Sequence, residues 1–288
     1  MIRKIYNYLK LILSIYFVYF FIDYSISNKE KIQNLIVSSL TTIFIIFLIK
    51  ILIIFLNSLI FKKILAFLGT EISFLKAHEL TVLNNLGNFI GPLKLGSGMR
   101  IEYLRQNYKI NIKDFILKSF IFSLYTQIIF FITFIFALYL TSKINGIIFL
   151  LALIGLIMAL ITLRAKSLFN IVNVFSSRGL IESKLLNLSI FFLFFFGVLV
   201  VFLEVNLIFN TSYSLLNSVF IFQGISLSNL VNLTPANLGV REYALTTISS
   251  LHKLSLSQLI EIGLIDRFCS ISATFVCFLY QNILKLRK

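Results

Sequence analysis

Two charged dipeptides interrupt apolar stretches of this chain, Arg241-Glu242 and Asp266-Arg267. An ionised side chain at the centre of a membrane-type helix costs about 2.5 to 3.5 kcal/mol, so each such group needs a partner, a wet cavity or a task. Two guanidinium groups held close together can receive a phosphate, and an adjacent carboxylate can orient them. The candidate anion-binding set is therefore Arg241, Glu242, Asp266 and Arg267, joined by Arg100, which follows a similar local pattern earlier in the chain. An ion-pair network that locks the fold accounts for the same charges, and both readings stand at this point. Lys50 and Glu204 are lone charges deep in apolar runs and read as a structural pair across a bundle. His78 beside Glu79 has no second ligand at metal spacing and reads as an interfacial pair.

The elements that must position these residues follow from composition. With 59% hydrophobic and 13% charged residues, the chain has too little polar surface to cover a water-soluble domain of 288 residues. Backbone N–H and C=O groups in lipid must be satisfied within the chain, and continuous apolar runs without a period of two select helices over a barrel. Runs near Leu9–Ile26, Leu35–Phe61, Phe115–Leu140, Ile144–Leu163, Leu185–Phe209 and Leu259–Leu284 reach the roughly 20 residues that a span requires. A seventh, Tyr213–Leu233, runs into the only proline besides Pro92, so it reads either as a full crossing or as a segment that enters and returns. The first run reads as an uncleaved helix, because Asp23-Tyr24-Ser25 offers no small-residue cleavage pattern. Cys269 and Cys277 lie about 12 Å apart on one helix, beyond disulfide reach. A net charge of +15 with 32 Phe does not indicate nucleic acid here: the Phe residues occupy the lipid-length runs and the basic residues the connections.

Both prolines belong to one recurring pattern. Asn88-Phe89-Ile90-Gly91-Pro92-Leu93-Lys94-Leu95-Gly96 leads to Arg100 and Glu102-Tyr103, while Asn232-Leu233-Thr234-Pro235-Ala236-Asn237-Leu238-Gly239 leads to Arg241-Glu242-Tyr243. Each block precedes a short segment and then a long apolar helix, which points to duplication. The predicted organisation is a single transmembrane domain over 1–288. It comprises a first helix and outer loop (1–34), repeat 1 (35–143), a linking helix with an inner amphipathic linker (144–184), and repeat 2 (185–288). If the proline segments dip into the bilayer and return, most Lys and Arg fall on one side, leaving Lys29, Lys31, Lys143 and Lys253 opposite. The positive-inside rule then puts both termini in the cytoplasm and makes the halves inverted repeats, each with a re-entrant hairpin formed at Pro92 and Gly96 or at Pro235 and Gly239. The helix after Gly239 would aim free N–H groups and a positive dipole end at an anion. Prolines that merely mark surface loops are the competing reading.

No Gly-x-Ser-x-Gly, Walker or metal-ligand pattern is present in the sequence, so no catalytic residue, cofactor or metal is predicted. At the residues just quoted, the chain resembles the flippase-like transmembrane region of lysylphosphatidylglycerol synthases. Thr234 to Glu242 with Leu264-Ile265-Asp266-Arg267 is similar to that family's Pro-x-x-x-Gly-x-Arg-Glu element and the arginine of its next helix, and Pro92 to Gly96 with Arg100 to its other element. Where the family often has Pro-Gly-Gly-Leu-Gly, this chain has Pro235-Ala236-Asn237-Leu238-Gly239. The resemblance implies an all-α polytopic membrane protein of the cytoplasmic membrane that binds and translocates an anionic phospholipid or polyprenyl-linked lipid. Its partners would be membrane lipids and enzymes of envelope or glycan synthesis. Without the aminoacyl-transfer domain of bifunctional relatives, lysyl-lipid synthesis is not expected. A polytopic enzyme using Glu242 or Asp266, or a scaffold subunit of a lipid-linked glycan pathway, stands as the alternative.

Overall fold

The computed structural model describes residues 26, 39–90, 94–164, 183–209, 213–231, 237, 239–248 and 254–286. Among the described residues every regular element is a helix: α1 Leu40–Ala66, α2 Phe74–Ile90, α3 Leu95–Tyr108, α4 Ile112–Leu140, α5 Gly146–Arg164, α6 Lys184–Phe209, α7 Leu215–Val231, α8 Val240–Thr247 and α9 Leu256–Leu286. Four are long and apolar enough to cross a membrane, over Leu40–Ala66, Ile112–Leu140, Lys184–Leu207 and Leu256–Ile283. The expected spans in α1, α4, α6 and α9 are thus present, shifted by a few residues at their ends. The Leu9–Ile26 span apart from Ile26, the linker across 165–182, and Pro92 and Pro235 lie outside the described residues.

Large apolar side chains point outward along these helices. Phe44, Leu52 and Phe55 of α1, Leu150, Leu151 and Ile154 of α5, and Phe268, Phe275 and Leu279 of α9 are all exposed. Lipid tails are the solvent that accepts such a surface. Because lipid is as apolar as leucine, helix association must come from close packing and polar contacts rather than from hydrophobic burial.

The long α1 is the spine: it packs on α2, α6 and α9, while α7 fills the space between α4, α6 and α8. One core joins α1 through α4 with α6 around Phe61, Leu65, Leu80, Leu104 and Phe122. Another joins α6 to α9 around Val205, Ile221, Leu245 and Ile262.

Element order recurs along the chain. Long, medium, short and long helices appear as α1-α2-α3-α4 and again as α6-α7-α8-α9, with starts offset by 144, 141, 145 and 144 residues. The last helix of each set begins at a capping side chain. Asn111 Oδ1 accepts the Lys113 amide at 3.0 Å, and Ser255 Oγ accepts the Gln258 amide at 3.3 Å while Gln258 Oε1 takes the Ser255 amide at 2.8 Å. Those caps satisfy N–H groups that the first turn leaves free.

Each medium helix packs against the short helix that follows it. At the first such pair a Cβ on Gly87 would lie 2.5 Å from Gly96 Cα, and one on Gly96 would lie 2.0 Å from the Asn84 carbonyl oxygen. Only glycine permits that approach. Gly96 is needed for this contact rather than for an unusual backbone angle; the left-handed residue here is Lys94, with φ of 58°. In the second pair Gly239 does take a positive φ, 77°. The described α7 helix has 17 residues, about 26 Å.

Candidate functional site

The two dipeptides do not pair internally. Consecutive residues on a helix point about 100° apart and cannot face each other, so the salt bridges form between helices. Arg241 Nη1 of α8 meets Asp266 Oδ2 of α9, and Arg267 Nη2 of α9 meets Glu242 Oε1 of α8 at 2.7 Å. The same geometry corrects the expected pairing of Lys50 with Glu204: Lys50 Nζ from α1 bonds Asp266 Oδ1. Asp266 therefore bridges two cations carried by different helices, and both Arg241 and Arg267 are only 5% exposed.

Local structure holds this cluster in place. Glu242 stands three residues after Gly239 and its Oε2 accepts the Gly239 amide at 2.8 Å, tying α8's start to the same carboxylate that holds Arg267. Such a carboxylate at an N-terminal turn also meets the positive end of the helix dipole. Asn237, with φ of 56°, donates from Nδ2 to Ser228 Oγ at 2.9 Å and to Asn229 Oδ1 at 3.2 Å, fastening the break to the end of α7. A Cβ at Gly263 would lie 2.6 Å from Glu242 Oε1 and 2.9 Å from Arg267 Nη1, so the bare position leaves room for this ion pair against α9.

The cluster forms one wall of a cavity of about 430 Å³. That is the size range of small-ligand sites. Lys50, Arg241, Asp266 and Arg267 line it together with Asn57 of α1, Asn85 and Asn88 of α2, Asn229 of α7 and Asn237. Ile53, Phe130, Leu193, Phe222 and Ile225 form its apolar side. Segments next to both interruptions thus share one wall. Lys94, just after the first interruption, donates to the carbonyl oxygen of Leu230, just before the second, at 3.3 Å. Arg241 Nε and Nη2 are buried and have no acceptor, so the guanidinium keeps donors for a further anionic group.

Other sequence candidates lie elsewhere. The Arg100 guanidinium stacks on the Phe61 ring at 4.4 Å and is not among the cavity-lining residues. His78 Nδ1 is 2.9 Å from Ser58 Oγ, and Lys76 Nζ forms a salt bridge with Glu79 Oε2 at 3.3 Å. Burial lowers the pKa of His78, since desolvation disfavours its charged form. Among the described residues no group of three or more His, Cys, Asp or Glu could hold a metal ion. Sequence reasoning missed the amide lining. Its signal was available, because Asn57 interrupts an apolar run and Asn84, Asn85 and Asn88 crowd the helix before Pro92.

No curated protein and no solved structure matches the chain. A family model does, the lysylphosphatidylglycerol synthase TM region, over residues 7–277. With nearly the whole length matched and its long helices exposing apolar side chains, the chain is a membrane protein that belongs to the lysylphosphatidylglycerol synthase TM region family.

Proposed function

We propose that this protein binds the anionic headgroup of a lipid in the charged cavity and carries it across the cytoplasmic membrane, the acyl or prenyl chains remaining in the bilayer. The observation that carries this reading is a cavity lined by Lys50, Arg241 and Arg267 on one side and by apolar side chains on the other, with Arg241 donors left over. A phosphate suits those donors, and the amides of Asn57, Asn85 and Asn88 suit the oxygens around it. The family's name refers to a lipid whose headgroup contains a phosphate, which agrees with this chemistry.

In this reading α2–α3 and α7–α8 are re-entrant hairpins that enter from opposite faces, turned at Pro92 and Gly96 and at Pro235 and Gly239. The halves 35–143 and 185–288 are inverted repeats joined by 144–184, the termini are cytoplasmic, and alternating access is a rocking of one half against the other. The cross-helix ion pairs Arg241–Asp266 and Arg267–Glu242 hold the second hairpin while a headgroup exchanges. Arg100 anchors the first hairpin on Phe61.

The test is reconstitution into liposomes with fluorescently labelled phosphatidylglycerol, following label that becomes accessible to an impermeant quencher. Wild-type protein is expected to move the label, and Arg241→Ala and Arg267→Ala to slow it at least about tenfold, as loss of a charge-assisted contact of about 1.4 kcal/mol or more requires. Turnover of a lipid-linked donor without label movement would favour the enzymatic reading. Neither activity would favour a scaffold.

A further inference from the structure

Glu204 of α6 differs from the other acids of the cluster. It is 0% exposed, and neither Oε1 nor Oε2 has a hydrogen-bond donor. Asp266 by contrast receives Lys50 and Arg241, and Glu242 receives Arg267 and the Gly239 amide. The groups that face Glu204 are Lys50 from α1, Asp266 and Cys269 from α9, and Arg241 from α8. Of the other helices that pack on α6, α7 has no ionisable residue in its sequence, and α4 meets α6 through Tyr125–Asn187 and Phe130–Phe194, well before Glu204 along that helix. Lys50 and Arg241 bond Asp266, and the free Nε and Nη2 of Arg241 do not bond Glu204, so an ionised Glu204 would add a second carboxylate beside Asp266 with no donor of its own. A buried carboxylate in that position is unfavourable, whereas a protonated one becomes a donor and has the Asp266 carboxylate beside it as acceptor.

The proton decides the cluster's charge. With Glu204 protonated, Lys50, Arg241 and Arg267 face only Asp266 and Glu242, leaving one positive charge in excess at the cavity wall. With Glu204 ionised the cluster is neutral. A monoanionic group in the cavity completes the first state and is repelled by the last added charge of the second. Resting on the headgroup reading above, we propose that Glu204 is a proton-binding site linked to headgroup occupancy, so that a proton travels with each monoanionic headgroup. Loading takes a proton from water onto a Glu204 oxygen, and release returns it to water on the other side. Linkage is reciprocal: the proton raises anion affinity by the factor by which the anion raises proton affinity.

Two measurements test this. In phosphatidylcholine liposomes containing nitrobenzoxadiazole-labelled phosphatidylglycerol and an entrapped pH dye, label movement by wild-type protein is expected to fall by up to about tenfold per pH unit on the alkaline side, the limit for one linked proton. Dye response is expected to accompany it. Glu204→Gln, which fixes the uncharged form, is expected to flatten that slope to less than about twofold and to abolish the dye response. A wild-type rate independent of pH, or an unaltered slope in Glu204→Gln, overturns the proposal while leaving the headgroup reading intact. Infrared titration of detergent-solubilised protein gives a readout that needs no lipid movement. The C=O stretching band of a protonated carboxyl group is expected at neutral pH in wild type and is expected to be lost in Glu204→Gln. Absence of that band from wild type overturns the proposal even if no label moves in any sample, an outcome that separately contradicts the headgroup reading.

Discussion

The helix pairs α2–α3 and α7–α8 share a framework and divide the labour. In α2–α3 the contact is backbone on backbone, Gly87 against Gly96, with asparagines facing the cavity and one arginine stacked on a phenylalanine. In α7–α8 and the following helix the contacts are ionic, with Arg241, Glu242, Asp266 and Arg267 paired across helices. Shifted by the 144 residues that relate the helix starts, Asp266 and Arg267 correspond to Phe122 and Ser123, and Glu204 corresponds to Ile60. The recurring helix order can thus keep its capping positions while every charge of the cluster except Lys50 of α1 sits on the second set. Geometry is a property of both halves, and chemistry mainly of the second.

That contrast can be broken in order of expected effect. Asp266→Ala strands Lys50 and Arg241 together and is expected to cost about 3 to 5 kcal/mol, the range for breaking a buried pair, read as a loss of thermal stability in detergent. A variant as stable as wild type would show that the ionic half is held by something else. In the first half, Gly96→Ala forces a methyl group onto the Asn84 carbonyl and is expected to cost about 1 to 3 kcal/mol in the same assay, with no charge altered. Unchanged stability there would mean the helices do not approach so closely.

A double-mutant cycle on Glu242→Ala and Arg267→Ala is expected to give a coupling of about 1 to 3 kcal/mol, because each removal leaves the other ion buried. Additive effects would contradict the pairing. Arg100→Ala is expected to be the mildest, about 1 kcal/mol, the worth of a partly exposed cation–π contact, and to leave the cavity charges in place. If it matched Asp266→Ala, the division between the halves would be wrong.

How much of this is legible in the residue string varies with the range of the interaction. The membrane helices follow from run length and composition, and α1, α4, α6 and α9 lie within a few residues of where Leu35–Phe61, Phe115–Leu140, Leu185–Phe209 and Leu259–Leu284 put them. The recurring pattern around the prolines pointed to a recurring order of helices, because Pro-x-x-x-Gly and the capping residues act locally. Which acid meets which base was not legible. Arg241-Glu242 and Asp266-Arg267 look like pairs in sequence, yet a helix turns adjacent residues apart and only tertiary packing chooses Lys50 for Asp266. The role of Gly96 was hidden for the same reason, since the Asn84 carbonyl that excludes a side chain there belongs to another helix.

The central claim is that the segments beside the two interruptions meet at one cavity, and its most direct test is proximity across them. On a background lacking Cys269 and Cys277, Lys94→Cys and Leu230→Cys are combined and treated with a short bifunctional thiol reagent, with proteolysis between the halves to reveal the link. Contact between the Lys94 side chain and the Leu230 carbonyl predicts that the fragments stay joined. Fragments that separate although each cysteine reacts singly would contradict the account.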